Sequence, residues 1–450
     1  MIRAISKIFF GTFNETNLKS KFLKASLGSI LLQFIFSLLT FITTIIIARI
    51  SGDKGFGIYS LVFTWVSVIS SLALFGFDDL ALKQISIYKS KNQLSEIKSF
   101  LIYGLKNITI FSSLVSFIYI IVCNFIPLPG IFEYKFFHII AALSIPFFAV
   151  VLFLQSVLKA VGLITIGQLS EKLVQPLSFI FIITFYYLLG LDVNDFVAIF
   201  FRVVSFLIAA IFIVLLLLYK IKNILKSTLV PLESHTWNKS LIYFCLSTLL
   251  FSLNSRVDII FLGLYSVLPE EIAYYNVASK FSDIALIPFL VISTVSTPMF
   301  ASMYHEKKLH ALQNFYTMIT RIGFVIVFLI ILIFIAFGPF FLSWYGDTFK
   351  SAYFVLVLLC LSKLVHVFVG PANFLLSMSG FEKYVTRALV MSVIITIILD
   401  LILIPLYSLT GAAYASIGGL IFYDFYLAYI GYKKTGLYFT ILGKFKKVID

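Results

Sequence analysis

Residues 27–48 read LGSILLQFIFSLLTFITTIIIA, 22 positions without one charged side chain. At 1.5 Å of rise per residue, a helix of that length crosses about 30 Å, the hydrocarbon core of a bilayer. The run is too long for the core of a secretory signal, and no small-residue cleavage site follows it. It reads as a membrane span. The 26 residues before it are mixed and basic, with Arg3, Lys7, Lys19, Lys21 and Lys24, and are expected to lie on the cytoplasmic surface as a short interfacial helix.

The pattern repeats along the chain. Of 450 residues, 61% are hydrophobic and 12% charged, with a mean hydropathy of +1.07. A soluble domain carries about 25% charged residues, and a soluble fold could not hide this much apolar surface. Apolar runs recur at 27–49, 57–81, 100–126, 136–158, 166–189, 196–219, 240–266, 272–301, 316–340, 352–377, 385–405 and 410–432. They predict an all-α integral membrane protein of about twelve transmembrane helices.

The loops test that count. With both termini cytoplasmic, alternate loops collect 24 Lys and Arg on the inner side, against four on the outer side: Arg49, Lys54, Lys135 and Lys350. This is the positive-inside asymmetry of a bacterial inner-membrane protein. It also accounts for the net charge of +14 without a nucleic-acid partner.

The longest inner loop splits the spans six and six, and the halves are weakly alike. Gly57-Ile58-Tyr59-Ser60 matches Ala273-Tyr274-Tyr275-Asn276 at an offset of 216, and Leu158-Lys159-Ala160-Val161-Gly162 matches Leu376-Ser377-Met378-Ser379-Gly380 at 218. The expected organisation is a basic leader (1–26), an N-terminal six-helix lobe (27–219), a cytoplasmic linker (220–239), a C-terminal six-helix lobe (240–432) and a basic tail (433–450). Two lobes related by a parallel repeat suit a rocking carrier with a central cavity.

Besides Arg49, Lys172 and Arg387 near the run ends, which belong with the loops, six basic residues fall inside the runs: Lys106, Arg202, Arg256, Lys280, Arg321 and Lys363. Lys106 and Arg321 lie near the inner surface and can snorkel. The other four are deeper. Facing lipid they would cost about 3 kcal/mol each, on the order of 10 kcal/mol together, which rivals the net stability of a whole protein. They should face a wet cavity or pair with acids. Asp258, Asp283, Asp400 and Asp424 are the acids available. The balance of deep charge stays cationic, which suits an anionic headgroup such as phosphate or pyrophosphate.

Gln168, Glu171 and Gln175 fall at i, i+3 and i+7, one polar helical face, with a kink expected at Pro176. Asn254 and Asp258 fall at i, i+4. These faces either line the same cavity or hydrogen-bond neighbouring helices. Tyr274 and Tyr275 sit where an aromatic belt is expected, with sugar stacking the alternative.

Nothing assembles a catalytic centre. Cys123, Cys245 and Cys360 lie apart in apolar runs, so no disulfide or zinc pattern follows. Of five histidines only His366 is deep. There is no Ser-His-Asp set, HExxH or P-loop, hence no ATP drive within the chain and no cofactor. The expectation is a carrier, not an enzyme.

The stretch Ala48-Arg49-Ile50-Ser51-Gly52-Asp53-Lys54-Gly55-Phe56-Gly57-Ile58-Tyr59 resembles the ARxxGxxxFGxY opening of Wzx-type polysaccharide flippases of the multidrug/oligosaccharidyl-lipid/polysaccharide exporter superfamily. Arg256-Val257-Asp258, then Ala273-Tyr274-Tyr275-Asn276-Val277-Ala278-Ser279-Lys280, is similar to that family's RxD…GxYxxAxK, with Ala273 in place of the usual glycine. Pro298 fits its proline near the end of segment eight. Leu403-Ile404-Pro405 followed by Gly411-Ala412-Ala413-Tyr414-Ala415 resembles LIP…GAAxA.

The resemblance implies two six-helix lobes around a cationic cavity. It implies an undecaprenyl-pyrophosphate-linked oligosaccharide as substrate, an O-antigen or capsule repeat unit turned to the outer leaflet. A proton or Na⁺ would be a coupling ion, and a polymerase and chain-length regulator would be partners in the same pathway. Arg256, Lys280, Lys363 and Arg202 are the candidate headgroup residues. Asp258, Asp283, Asp424 and Arg49 are the candidates for gating or coupling, and Gln168, Glu171, Gln175 and Asn254 for cavity lining.

A cation or drug antiporter of the same fold would want an acidic cavity. A major-facilitator carrier would carry an Asp-Arg-Gly-rich signature between segments two and three. An O-antigen polymerase would carry a large outer loop with arginines. Fourteen spans would be usual for lipid II flippases.

Overall fold

The computed structural model describes residues 18–231 and 238–443; the expectations for 1–17, 232–237 and 444–450 fall outside them. Long helices dominate, as a bilayer requires, because a helix satisfies every backbone N–H and C=O within one segment.

α1 (Leu18–Leu74) carries the first two apolar runs and breaks at Gly52, whose φ of 70° is open to glycine at no steric cost. α2 (Phe77–Ser90) and α3 (Leu94–Phe125) follow. α4 (Lys135–Ala142) and α5 (Ser144–Ala160) make the fourth run. The fifth is interrupted: α6 (Ile164–Gly167), a π-turn at Ser170–Val174, then α7 (Gln175–Leu188). α8 (Asp195–Lys220) is capped by Asn194, which accepts from the Val197 amide at 3.0 Å.

After the short α9 (Lys222–Leu225), the seventh run is α10 (Asn238–Asn254) and α11 (Val257–Leu264), bent by 66°. α12 (Pro269–His305) opens on a proline, which needs no N–H there. Glu270 and Glu271 sit in its first turn, where the helix dipole favours acids. α13 (Leu309–Leu342), α14 (Tyr353–Val369), α15 (Ala372–Met378) and α16 (Glu382–Thr435) complete the chain. α16 breaks at Ser408, a non-glycine residue at φ 50°, and the Ser408 hydroxyl donates to Glu271.

Among the described residues, eight helices are long and apolar enough to cross a membrane, nine if the bent α10–α11 pair is one span. The protein is a multi-pass membrane protein. The count departs from twelve at identifiable places. α1 and α16 each run through two expected spans, because the breaks at Gly52 and Ser408 leave no loop between them. Residues 164–188 are divided into pieces each too short to cross.

The ends of the chain also differ from expectation. From Leu18 the leader is already helical and continuous with the first span. Residues 436–443 of the tail fold back on the basic end of α13. Gln313 accepts from the Tyr438 amide at 2.7 Å, and Leu437 and Phe439 are buried. Arg321, read as a snorkelling residue, donates to the Ile441 carbonyl at 2.9 Å.

Buried apolar side chains form three clusters. At the end away from the basic loops, one cluster unites both halves of the chain, from Ile47 and Phe56 through Ile259 and Phe281 to Leu356 and Ala412. At the basic end two further clusters form, and α10 of the C-terminal half packs into the N-terminal one through Leu241 and Phe244. One cluster gathers Leu74–Leu241 around Phe100, Phe153 and Ile213. The other gathers Phe300–Phe439 around Tyr316 and Leu375. The halves share one core at one end; at the other the cores divide, with α10 held against the N-terminal half.

Candidate functional site

A cavity of about 720 Å³ lies between α1 and α12 on the basic side of that junction. Its walls are mostly apolar, from Phe34 and Phe41 to Ile287 and Leu290. Its charged lining is Lys280 and Asp283, which the i, i+3 spacing puts on one face of α12.

Other deep cations gather nearby. Lys280 lies within electrostatic reach of Arg256 and of Arg202, which comes from the opposite half of the chain. Arg256 stands at the break between α10 and α11, in neither helix. Irregular backbone at membrane depth is tolerated where it is buried in protein or lines a wet cavity. Arg202 stacks over Phe179 and Phe206, its guanidinium carbon 5.5 and 5.2 Å from their ring centres. With the Gln175 amide oriented to satisfy both its ends, its oxygen accepts from Arg202 Nη1 at 2.9 Å and Nε at 3.2 Å. Lys363 on α14 pairs with Asp283 at 2.9 Å. Three of these cations, Lys280, Arg256 and Lys363, thus share the carboxylate of Asp283, with Arg202 close to Lys280 and Lys363 also within reach of Asp258, so cations outnumber acids at the site.

The remaining acids lie elsewhere in the C-terminal half. Asp258 on α11 accepts through Oδ2 from the Tyr275 hydroxyl at 2.7 Å and from Ser416 at 2.6 Å. Its Oδ1 has no partner among the described residues. Asp400 on α16 is fully buried, neither of its oxygens has a hydrogen-bond partner among the described residues, and it lies within electrostatic reach of Asp258. Asp424 Oδ1 lies 2.8 Å from His366 Nδ1, and the His366 ring packs edge-on against Phe289. The sequence shows these acids but not that Asp258 and Asp400 come within electrostatic reach of each other, because 142 positions and a helix break separate the two.

Several expected lining residues are not brought to the cavity. The π-turn ahead of Pro176 breaks the face of Gln168, Glu171 and Gln175, and Pro176 heads a new helix instead of kinking one. Gln168 accepts from Lys172 at 2.8 Å, and Glu171 faces Lys159 and Lys172. Gln175 alone reaches the cations. The bend after Asn254 removes its i, i+4 relation to Asp258; Asn254 is exposed and Asp258 buried. Tyr275 is a buried partner of Asp258, not a belt residue.

Arg49 and Tyr274 belong to a seal across the joined end. Arg49 donates from Nε to the Trp344 carbonyl at 2.7 Å and from Nη2 to the Ser343 carbonyl at 2.6 Å. Tyr274 donates to Asp53 at 3.0 Å, and the Thr44 and Tyr345 hydroxyls lie 2.8 Å apart. Phe41 meets Phe281 and Phe56 meets Phe349 in the same seam. Every one of these contacts joins the two halves.

The protein-family model described as "Polysaccharide biosynthesis protein" matches residues 22–304. No curated protein matches the sequence. Among solved structures, the chain is similar to an inward-facing multidrug resistance MATE family transporter of the MOP superfamily, with a TM-score of 0.72 and 15% identity over 90% of this chain and 94% of that one. It is also similar to a MOP superfamily transporter from Pyrococcus furiosus Vc1 (DSM3638), described as having a binding pocket of reverse polarity that suggests a different function. There the TM-score is 0.65 and identity 13%, over 93% of this chain and 96% of that one. An outward-facing MATE family transporter gives a TM-score of 0.60 at 15% identity, over 93% and 96% of the two chains. The chain belongs to the polysaccharide biosynthesis protein family, and it has the fold of the MATE and MOP superfamily transporters.

Proposed function

We propose that the chain flips a lipid-linked oligosaccharide, carried on an undecaprenyl pyrophosphate or a chemically similar anionic lipid, from the cytoplasmic to the outer leaflet of a bacterial inner membrane. The observation that carries this reading is the cationic cluster. Arg202 from one half and Arg256 and Lys280 from the other converge beside a cavity whose one lining acid, Asp283, is already held by Lys363. A fixed positive field in a low-dielectric setting suits a pyrophosphate and repels the cationic drugs that a multidrug antiporter would bind.

Alternating access of two six-helix lobes (27–219 and 240–432), twelve spans in all with both termini cytoplasmic, fits the two-cluster packing at the basic end and the seal at the other. Asp258 and Asp400, with the hydroxyls of Tyr275 and Ser416, suit a coupling proton or Na⁺. The oligosaccharide is the repeat unit of an O-antigen or capsule, received by a polymerase and its chain-length regulator.

The test is reconstitution. Purified protein in proteoliposomes should move a fluorescent polyprenyl-pyrophosphate oligosaccharide across the bilayer, and Arg256→Ala or Lys280→Ala should each abolish the movement. Transport of lipophilic cations in place of the anionic lipid, or wild-type rates in both variants, would overturn the reading in favour of an antiporter.

A further inference from the structure

One buried acid stands apart from the cation cluster and from Asp258 and Asp400. Asp424 lies in the part of α16 beyond the Ser408 break, with its side chain 2% exposed. Its Oδ1 is 2.8 Å from His366 Nδ1 on α14, and its Oδ2 has no partner among the described residues. A carboxylate can only accept, so Nδ1 carries the hydrogen and Nε2 is left to take another. The His366 side chain is 21% exposed, so the imidazole is the open edge of the pair.

The surroundings tie this pair to the cavity. His366 follows Lys363 by three positions, on the same face of α14. Lys363 holds the cavity-lining Asp283 at 2.9 Å and lies within electrostatic reach of Asp258 on α11. Phe289, edge-on to the imidazole, stands nine positions past Lys280 and so on the opposite side of α12. The pair therefore sits behind the α12 wall of the cavity and meets it through Lys363 and Asp283. Tyr316 on α13 and Tyr423 on α16 also lie within electrostatic reach of Asp424. The Tyr316 hydroxyl is committed to the Val369 carbonyl at 2.7 Å.

We propose that His366 and Asp424 form a proton-binding site that fills as the anionic headgroup enters the cavity and empties as it leaves. The inference deepens the flippase reading and rests on it for the anion. With a neutral imidazole the pair carries one negative charge, which opposes an anion. A proton added to Nε2 brings the pair to zero and breaks no other bond. Histidine is the side chain that changes charge near neutral pH, and acids and histidines inside spans mark proton paths. Linkage makes the effect reciprocal: the anion strengthens proton binding by the factor by which the proton strengthens anion binding. A unit charge roughly two helical turns from an anion, through an effective dielectric of about 20, changes affinity about three- to tenfold after salt screening.

The test uses the full chain in phospholipid nanodiscs, with inorganic pyrophosphate as the probe. His366→Asn keeps a donor for Asp424 and cannot take the second proton. Pyrophosphate itself titrates near neutrality, so the readout is the ratio of wild-type to His366→Asn affinity. That ratio should rise about three- to tenfold from pH 8 to pH 6. Calorimetry in buffers of different ionisation enthalpy should show the wild type taking up more protons per pyrophosphate bound than His366→Asn. In protein labelled with ¹⁵N-histidine, a resonance missing from His366→Asn should pass from neutral to cationic imidazole over the same range.

A resonance that keeps one charge state throughout overturns the proposal and makes the pair a structural link between α14 and α16. A flat affinity ratio with equal proton uptake overturns it as well, and leaves the headgroup site intact. If the wild type binds no pyrophosphate while the resonance still titrates, the headgroup site fails and the proton site stands without its link to the anion.

Discussion

Asp283 is the acid on which the charge of the cavity turns. It lines the cavity with Lys280 and holds Lys363 at 2.9 Å, so it competes with any anion for the same cations. Asp283→Asn should therefore tighten binding of inorganic pyrophosphate. A charged hydrogen bond is worth about 1.5–3 kcal/mol; halved for the half-exposed carboxylate, this predicts a gain of about three- to tenfold, measured by titration calorimetry.

Asp400 poses the opposite case, a buried carboxylate with no hydrogen-bond partner among the described residues. Keeping a charge there is costly. Asp400→Asn should leave the thermal midpoint at or above that of the wild type. Transport should nevertheless fall by about tenfold or more, the effect of ~1.4 kcal/mol. A midpoint well below wild type with transport intact would mark Asp400 as structural.

The helices meet most closely at the joined end, where the family's loose motif acquires a physical meaning. A Cβ on Gly57 would lie 1.8 Å from the carbonyl oxygen of Pro269, so only glycine lets the second half of α1 approach the start of α12 this closely. Gly57→Ala should cost about 1–3 kcal/mol by overpacking, and the cost falls on the sealed state. Arg49→Ala removes two charged hydrogen bonds to the carbonyls that follow α13. Because Arg49 is exposed, the loss is discounted to about 1 kcal/mol, a shift of about fivefold in population. Both variants should raise the outward-open fraction, read as lower cross-linking between cysteines placed at 53 and 274. Unchanged cross-linking in both would show that the seam is not a gate.

Across the whole molecule, the split of the buried clusters predicts the direction of movement. The halves share one core at the sealed end, whereas at the basic end the core divides in two, with α10 in the N-terminal part. Adding polyprenyl-pyrophosphate substrate should shorten spin-label distances between the α2–α3 and α12–α13 loops and lengthen those across the sealed end. Closure of both ends together would contradict a rocking movement.

Much of this architecture is legible along the chain. The apolar runs, their lengths and the 24-to-4 asymmetry of basic residues are one-dimensional properties, and the bilayer converts them into helices because no other backbone satisfies itself in lipid. The cost of burying Arg202, Arg256, Lys280 and Lys363 is likewise a property of single residues, and it pointed to a wet cationic site before any contact was known.

Periodicity failed wherever the helix did. The faces drawn through Gln168, Glu171 and Gln175, and through Asn254 and Asp258, assumed 3.6 residues per turn across a π-turn and a 66° bend. Pairing was beyond reach for a different reason. That Asp283 holds Lys363, that Tyr275 and Ser416 hold Asp258 and that Arg49 clasps the end of α13 depend on which helices lie side by side, and packing across tens to hundreds of residues settles that. The charges and the spans belong to the chain; the partners belong to the fold.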